Sequence, residues 1–102
     1  MLEISPQEVH RRLADLVLLD CREPDEVAIC RIDGARHVPM GEIPARLSEL
    51  DRGAEVVVYC HHGVRSLHVV QFLLKQGFTR ARSMSGGIDA WSIEIDPRVP
   101  RY

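Results

Sequence analysis

The run Glu55-Val56-Val57-Val58-Tyr59 is continuous, β-branched and aromatic, and it leads straight into Cys60. Residues of this kind suit a pleated, packed strand. A second apolar run, Val17-Leu18-Leu19 ending at Asp20, reads as a buried parallel strand. Helical patterns lie between and after them. Ser5-Pro6-Gln7-Glu8 is a helix start, with Ser5 as the cap, Pro6 at the first helical position and Glu8 closing a capping box. Val9 and Leu13 give that helix its apolar face. A short helix is expected over Asp25–Ile29, and a second amphipathic one carries Ile43, Leu47 and Leu50. From Ser66 the chain is helical through Leu67, Val70, Leu73 and Leu74, and Gly77 ends it. Arg36-His37-Val38 before Pro39 is extended, Ala81–Met84 is a last strand, and Gly86-Gly87 opens a helix through Trp91. The tail over residues 95–102, with two prolines, is expected to run extended over the surface. Alternating strands and helices imply an α/β sandwich around a mainly parallel sheet. Ligands of such sheets sit beyond the carboxyl ends of the strands, where Cys60 stands.

At 102 residues the chain is read as one domain with a core that needs no staples. A net charge of −2, from 13 basic and 15 acidic residues, speaks against a nucleic-acid or membrane surface. The basic residues are all Arg except Lys75, a bias that genome composition also produces. No apolar run approaches the ~20 residues of a membrane span. The first residues, MLEISPQEV, resemble no secretory leader. Cys21, Cys30 and Cys60 form no disulfide framework, so a reducing, cytoplasmic setting is expected.

The loop Cys60-His61-His62-Gly63-Val64-Arg65-Ser66 joins a strand to a helix. Gly63 allows a tight turn. The loop amides and the helix N-terminus can converge on one point, which makes an anion cradle. A thiolate at Cys60 is stabilised there, and Arg65 adds a fixed positive charge. The competing reading is an inert buried thiol at a strand end.

Four segments in order resemble the rhodanese-like domain family. They are Asp20-Cys21-Arg22-Glu23 with Glu26, then Gly34-Ala35-Arg36-His37-Val38-Pro39, the Cys60–Arg65 loop, and Ser85-Gly86-Gly87-Ile88-Asp89-Ala90-Trp91. The resemblance implies a three-layer sandwich with helices flanking a central sheet. It implies a sulfurtransferase in which Cys60 carries sulfane sulfur as a persulfide. Arg65 would orient a donor anion such as thiosulfate, and His61, His62, Gly63, Val64 and Ser66 would hold the outer sulfur. Partner proteins that donate persulfide or accept sulfur are possible on the same loop, and no cofactor is implied. Where many members read Gly-His-Ile-Pro-Gly, this chain reads Cys30-Arg31-Ile32-Asp33-Gly34. The ending VPRY is similar to that of some bacterial single-domain members.

Other residues have weaker claims. Arg22 and Glu26 are expected to pair, and Asp20 could brace the loop. Cys30 could be a resolving thiol for Cys60, against its being incidental. His61 and His62 either tune the thiol or serve by their backbone alone. A metal held by Cys60, His61, His62 and His68 fits no standard zinc spacing. Trp91 belongs to the core. A phosphatase or arsenate reductase would place five residues between Cys and Arg, whereas His61 to Val64 make four. A partner-binding module without activity, or a sulfur relay between proteins, is the alternative to a small-molecule enzyme.

Overall fold

The structure is a computed structural model that describes residues 2–102. Five parallel strands form one sheet: β1 (Glu3–Ile4), β2 (Val17–Asp20), β3 (Arg36–His37), β4 (Val56–Tyr59) and β5 (Arg82–Met84), in the spatial order β1-β5-β4-β2-β3. The helices are α1 (Pro6–Arg11), α2 (Pro24–Ile29), α3 (Val64–Lys75) and α4 (Gly87–Glu94). This is the expected α/β sandwich around a parallel sheet. In the central β4 every residue is buried, which is why its sequence runs apolar without alternation.

The side chains of β4 alternate between two apolar clusters. Val56, Val58 and Cys60 pack on one face with Leu19, Cys21, Val69, Val70 and Leu73, under α3. Val57 and Tyr59 pack on the other with Val9, Cys30, Ile88 and Trp91, under α1 and α4. Trp91 is therefore core, as expected. At the sheet end opposite Cys60, buried Glu55 is paired with Arg12, Arg80 and Arg82. No described helix is long and apolar enough to cross a membrane.

Three expectations are corrected. The segment with Ile43, Leu47 and Leu50 is not an α-helix but two short 3-10 segments, Met40–Glu42 and Pro44–Glu49, the second kinked at Arg46. Pro44 removes an amide that a continuous helix would use. Ile43 and Leu50 are still buried. Likewise α1 stops at Arg11, and Leu13 lies in a separate 3-10 turn. The third concerns α3, which begins at Val64, two residues before the expected start, so Arg65 and Ser66 lie in its first turn.

Candidate active site

Cys60 is the first residue after β4 and is 1% exposed. Gly63, at φ +105, turns the chain so that its amide points back at the sulfur. The Gly63 amide donates to Cys60 Sγ at 3.1 Å, and the Ser66 amide, at the start of α3, donates at 3.4 Å. The Ser66 hydroxyl lies 3.4 Å from the same sulfur and 2.7 Å from the buried Ser83 hydroxyl of β5. Across the sheet, Cys21 follows β2 as Cys60 follows β4. The neighbouring Cys21 thiol first, then the Ser66 hydroxyl and the two amides, hold the Cys60 thiol down to about 4. Burial pulls the other way and is outweighed. Cys21 is pushed correspondingly up, so of the two it is Cys60 that ionises.

The acidic and basic residues near the loop pair differently from expectation. Arg22 does not pair with the Glu26 carboxylate. It is fully buried, and its Nε and Nη2 donate to the Asp20 carboxylate at 3.0 and 2.7 Å. Nη2 also donates to the Cys30 carbonyl at 2.7 Å, and Nη1 donates to the Tyr102 hydroxyl at 3.0 Å, the Glu26 backbone carbonyl at 3.4 Å and the Cys30 sulfur at 3.9 Å. Asp20 also accepts from the Tyr59 hydroxyl at 2.8 Å, so it braces the residue before Cys60 rather than the loop itself. Glu26 instead takes a bidentate bond from Arg65, at 2.6 and 2.8 Å, and a bond from the Tyr102 hydroxyl at 2.7 Å. Arg65 above all, with Tyr102 and the Glu23 amide, holds the Glu26 carboxyl at about 2. The unusual segment from Cys30 is closed by Gly34 at φ +86 and anchored by the Ile32 amide on the Tyr59 hydroxyl.

Residues 5–94 match the rhodanese-like domain family. The chain belongs to that family. A sulfurtransferase of Allochromatium vinosum is 40% identical over 93 residues, spanning 88% of this chain and 87% of that protein. The thiosulfate sulfurtransferase GlpE of Glaesserella parasuis is 36% identical over 91 residues, with 87% and 84% covered. A rhodanese-related protein of Thermoplasma volcanium superposes with a TM-score of 0.89 at 28% identity, each chain fully covered.

Within this rhodanese domain the Gly86-Gly87 segment has a specific task. The first amides of α4 grip the Cys60 loop from behind: Ile88 donates to the Cys60 carbonyl at 2.9 Å and Asp89 to the His61 carbonyl at 3.1 Å. Gly87 has φ +63, and a Cβ there would sit 2.5 Å from the Cys60 carbonyl oxygen, so only glycine permits the grip. The tail's destination is not marked by any local pattern in the sequence. Arg101 pairs with Asp89 at 2.8 Å, and the Tyr102 ring stacks on His61 with centroids 3.8 Å apart. The tail thus returns to the rim of the loop, and the only hint was an aromatic residue after two prolines. His61 lies between Tyr102 and the exposed His62. The Cys60, His61, His62 and His68 set does not assemble; among the described residues His61 and His62 gather instead with Asp89, which Arg101 already neutralises. Cys30 packs on the other face of the sheet from Cys60, away from any resolving role.

Proposed function

We propose that this rhodanese domain moves sulfane sulfur from thiosulfate or a protein persulfide to a thiophilic acceptor through a persulfide on Cys60. The observation that carries the reading is a buried cysteine held as a thiolate by the Gly63 and Ser66 amides and the Ser66 hydroxyl. With thiosulfate, Cys60 Sγ attacks the outer sulfur, a new S–S bond forms, and sulfite leaves with the electrons of the broken bond. Cyanide or a thiolate then attacks the outer sulfur, and Cys60 departs as thiolate. A thiol held at about 4 is a good leaving group for that second step.

The first turn of α3 favours negative charge at this point. The amides of His61, His62, Val64 and Arg65 have no acceptor among the described residues, so they are free for the outer sulfur. Arg65 uses two of its N–H groups on Glu26 and keeps the others for the donor's sulfonate oxygens. A phosphatase reading also finds no proton donor in the carboxyls beside the loop. Glu26 and Asp89 are held ionised by Arg65 and Arg101.

The test is thiocyanate formation from thiosulfate and cyanide, with aryl phosphate hydrolysis run alongside. Wild type should form thiocyanate and leave the phosphate untouched, and Cys60→Ser should form no thiocyanate. Phosphate hydrolysis without sulfur transfer would overturn the reading.

A further inference from the structure

Cys60 has a thiol neighbour, Cys21, that carries no sulfur in the proposed transfer. The parallel ladder pairs Asp20 with Tyr59, and the Cys21 amide extends it by donating to the Tyr59 carbonyl at 3.1 Å. Cys21 and Cys60 are therefore the next pair across adjacent strands. Both side chains point into the same apolar cluster, and both are essentially unexposed. Cys21 Sγ lies 3.4 Å from the carbonyl of Tyr59, the residue bonded to Cys60. Neighbouring strands run ~4.8 Å apart, inside the Cα separation of roughly 4.4–6.8 Å that a disulfide spans. Both residues stand just beyond the regular strands. Cys30, the remaining thiol, sits on the opposite face of the sheet.

We infer that Cys21 is a resolving thiol, which captures oxidised Cys60 as a reversible Cys21–Cys60 disulfide. The chemistry takes two steps and a hydroperoxide as oxidant. Cys60 thiolate attacks one peroxide oxygen, the O–O bond breaks, and a Cys60 sulfenic acid forms as hydroxide or alkoxide leaves. Cys21 sulfur then attacks the sulfenic sulfur, the S–O bond breaks, and the Cys21 proton leaves with the oxygen as water. The peroxide is reduced by two electrons, and the two thiols are oxidised to one disulfide. A dithiol returns both cysteines by exchange. Without Cys21 the sulfenic acid proceeds to sulfinic and sulfonic acids, which thiols do not reverse. This inference rests on Cys60 being an ionised nucleophile, as the proposed function does, but not on its carrying sulfur.

The experiment treats the full chain with hydrogen peroxide, blocks free thiols with iodoacetamide and maps the peptides by mass. Wild type, Cys21→Ser, Cys21→Ala and Cys30→Ser are compared, each against its own thiocyanate activity before oxidation. Wild type and Cys30→Ser should yield a linked Cys21–Cys60 peptide pair, two hydrogens lighter than the reduced peptides. Dithiothreitol should restore nearly all of their activity. Both Cys21 variants should show sulfinic or sulfonic acid at Cys60 and recover almost none. Over-oxidised Cys60 beside alkylated Cys21 in wild type, or a Cys30–Cys60 or interchain link, would overturn the inference. A linked pair in a protein whose reduced form transfers no sulfur would instead sink the proposed function and leave this inference standing.

Discussion

Replacing Ser66 by Ala should raise the Cys60 pKa without making the thiol less reactive at neutral pH. The hydroxyl is 3.4 Å from Cys60 Sγ, while the Ser66 and Gly63 amides remain in Ser66→Ala. A hydrogen bond to a charged group is worth roughly 1.5–3 kcal/mol, and we take about 1.5–2 for a long sulfur bond. At 1.36 kcal/mol per unit, this lifts the pKa by about 1–1.5 units. Starting from about 4, the thiol would still be almost wholly ionised near neutrality. The less stabilised thiolate is also the better nucleophile. With a Brønsted slope of about 0.4–0.5, alkylation at neutral pH should quicken about threefold to fivefold. A second consequence lies in the core. The buried Ser83 hydroxyl loses its 2.7 Å partner, which costs about 1–3 kcal/mol. Adding Ser83→Ala should return part of that stability and leave the pKa where Ser66→Ala set it. The assay is the iodoacetamide rate against pH, with urea unfolding in parallel. An unmoved midpoint, or slower alkylation at neutral pH, would refute this account of the cradle.

Two further variants probe the frame around the sulfur. Arg65→Ala should cut thiocyanate formation and release Glu26 toward an ordinary carboxyl. Because Arg65 depresses the folded-state pKa of Glu26, the pair's stabilisation is in place above the unfolded value and fades as pH falls through about 5 to 2. Urea midpoints against pH should therefore fall less steeply on the acid side in Arg65→Ala than in wild type; parallel curves would deny the pairing. Gly87→Ala places a Cβ against the Cys60 and His61 carbonyls at positive φ and should cost about 3 kcal/mol as well as sulfur transfer. Unchanged stability and activity would mean that the grip of α4 on the loop is dispensable.

What the sequence made legible was whatever a local pattern encodes. Strands β2 and β4 announced themselves as unbroken apolar runs because both faces are covered, and α3 by its apolar spacing and Gly77. Strand β1 is only Glu3–Ile4 and is held by its pairing with β5, so no local signal could mark it. Of the Ile43, Leu47 and Leu50 stripe, Ile43 and Leu50 are buried and Leu47 is half-buried against the same core, but Pro44 turned the segment into 3-10 structure. The Arg22–Glu26 spacing suggested a structural ion pair near the loop. Because α2 begins only at Pro24, Arg22 lies outside the helix and turns inward to Asp20. Cys60, Gly63 and Ser66 were legible as a loop that converges on sulfur. Cys21 and Ser83 were not, because each reaches Cys60 or its partner through cross-strand register. Tyr102 was missed for a similar reason: only the tail's return path brings it to His61 and Glu26.

Intact-mass spectrometry after incubation with thiosulfate is the most direct test of the persulfide on Cys60. Wild type should gain the mass of one sulfur atom, map it to the Cys60 peptide, and lose it to cyanide as thiocyanate. Cys60→Ser should gain nothing. A wild-type protein that turns over thiosulfate without the added sulfur, or carries it on Cys21 or Cys30, would contradict the account.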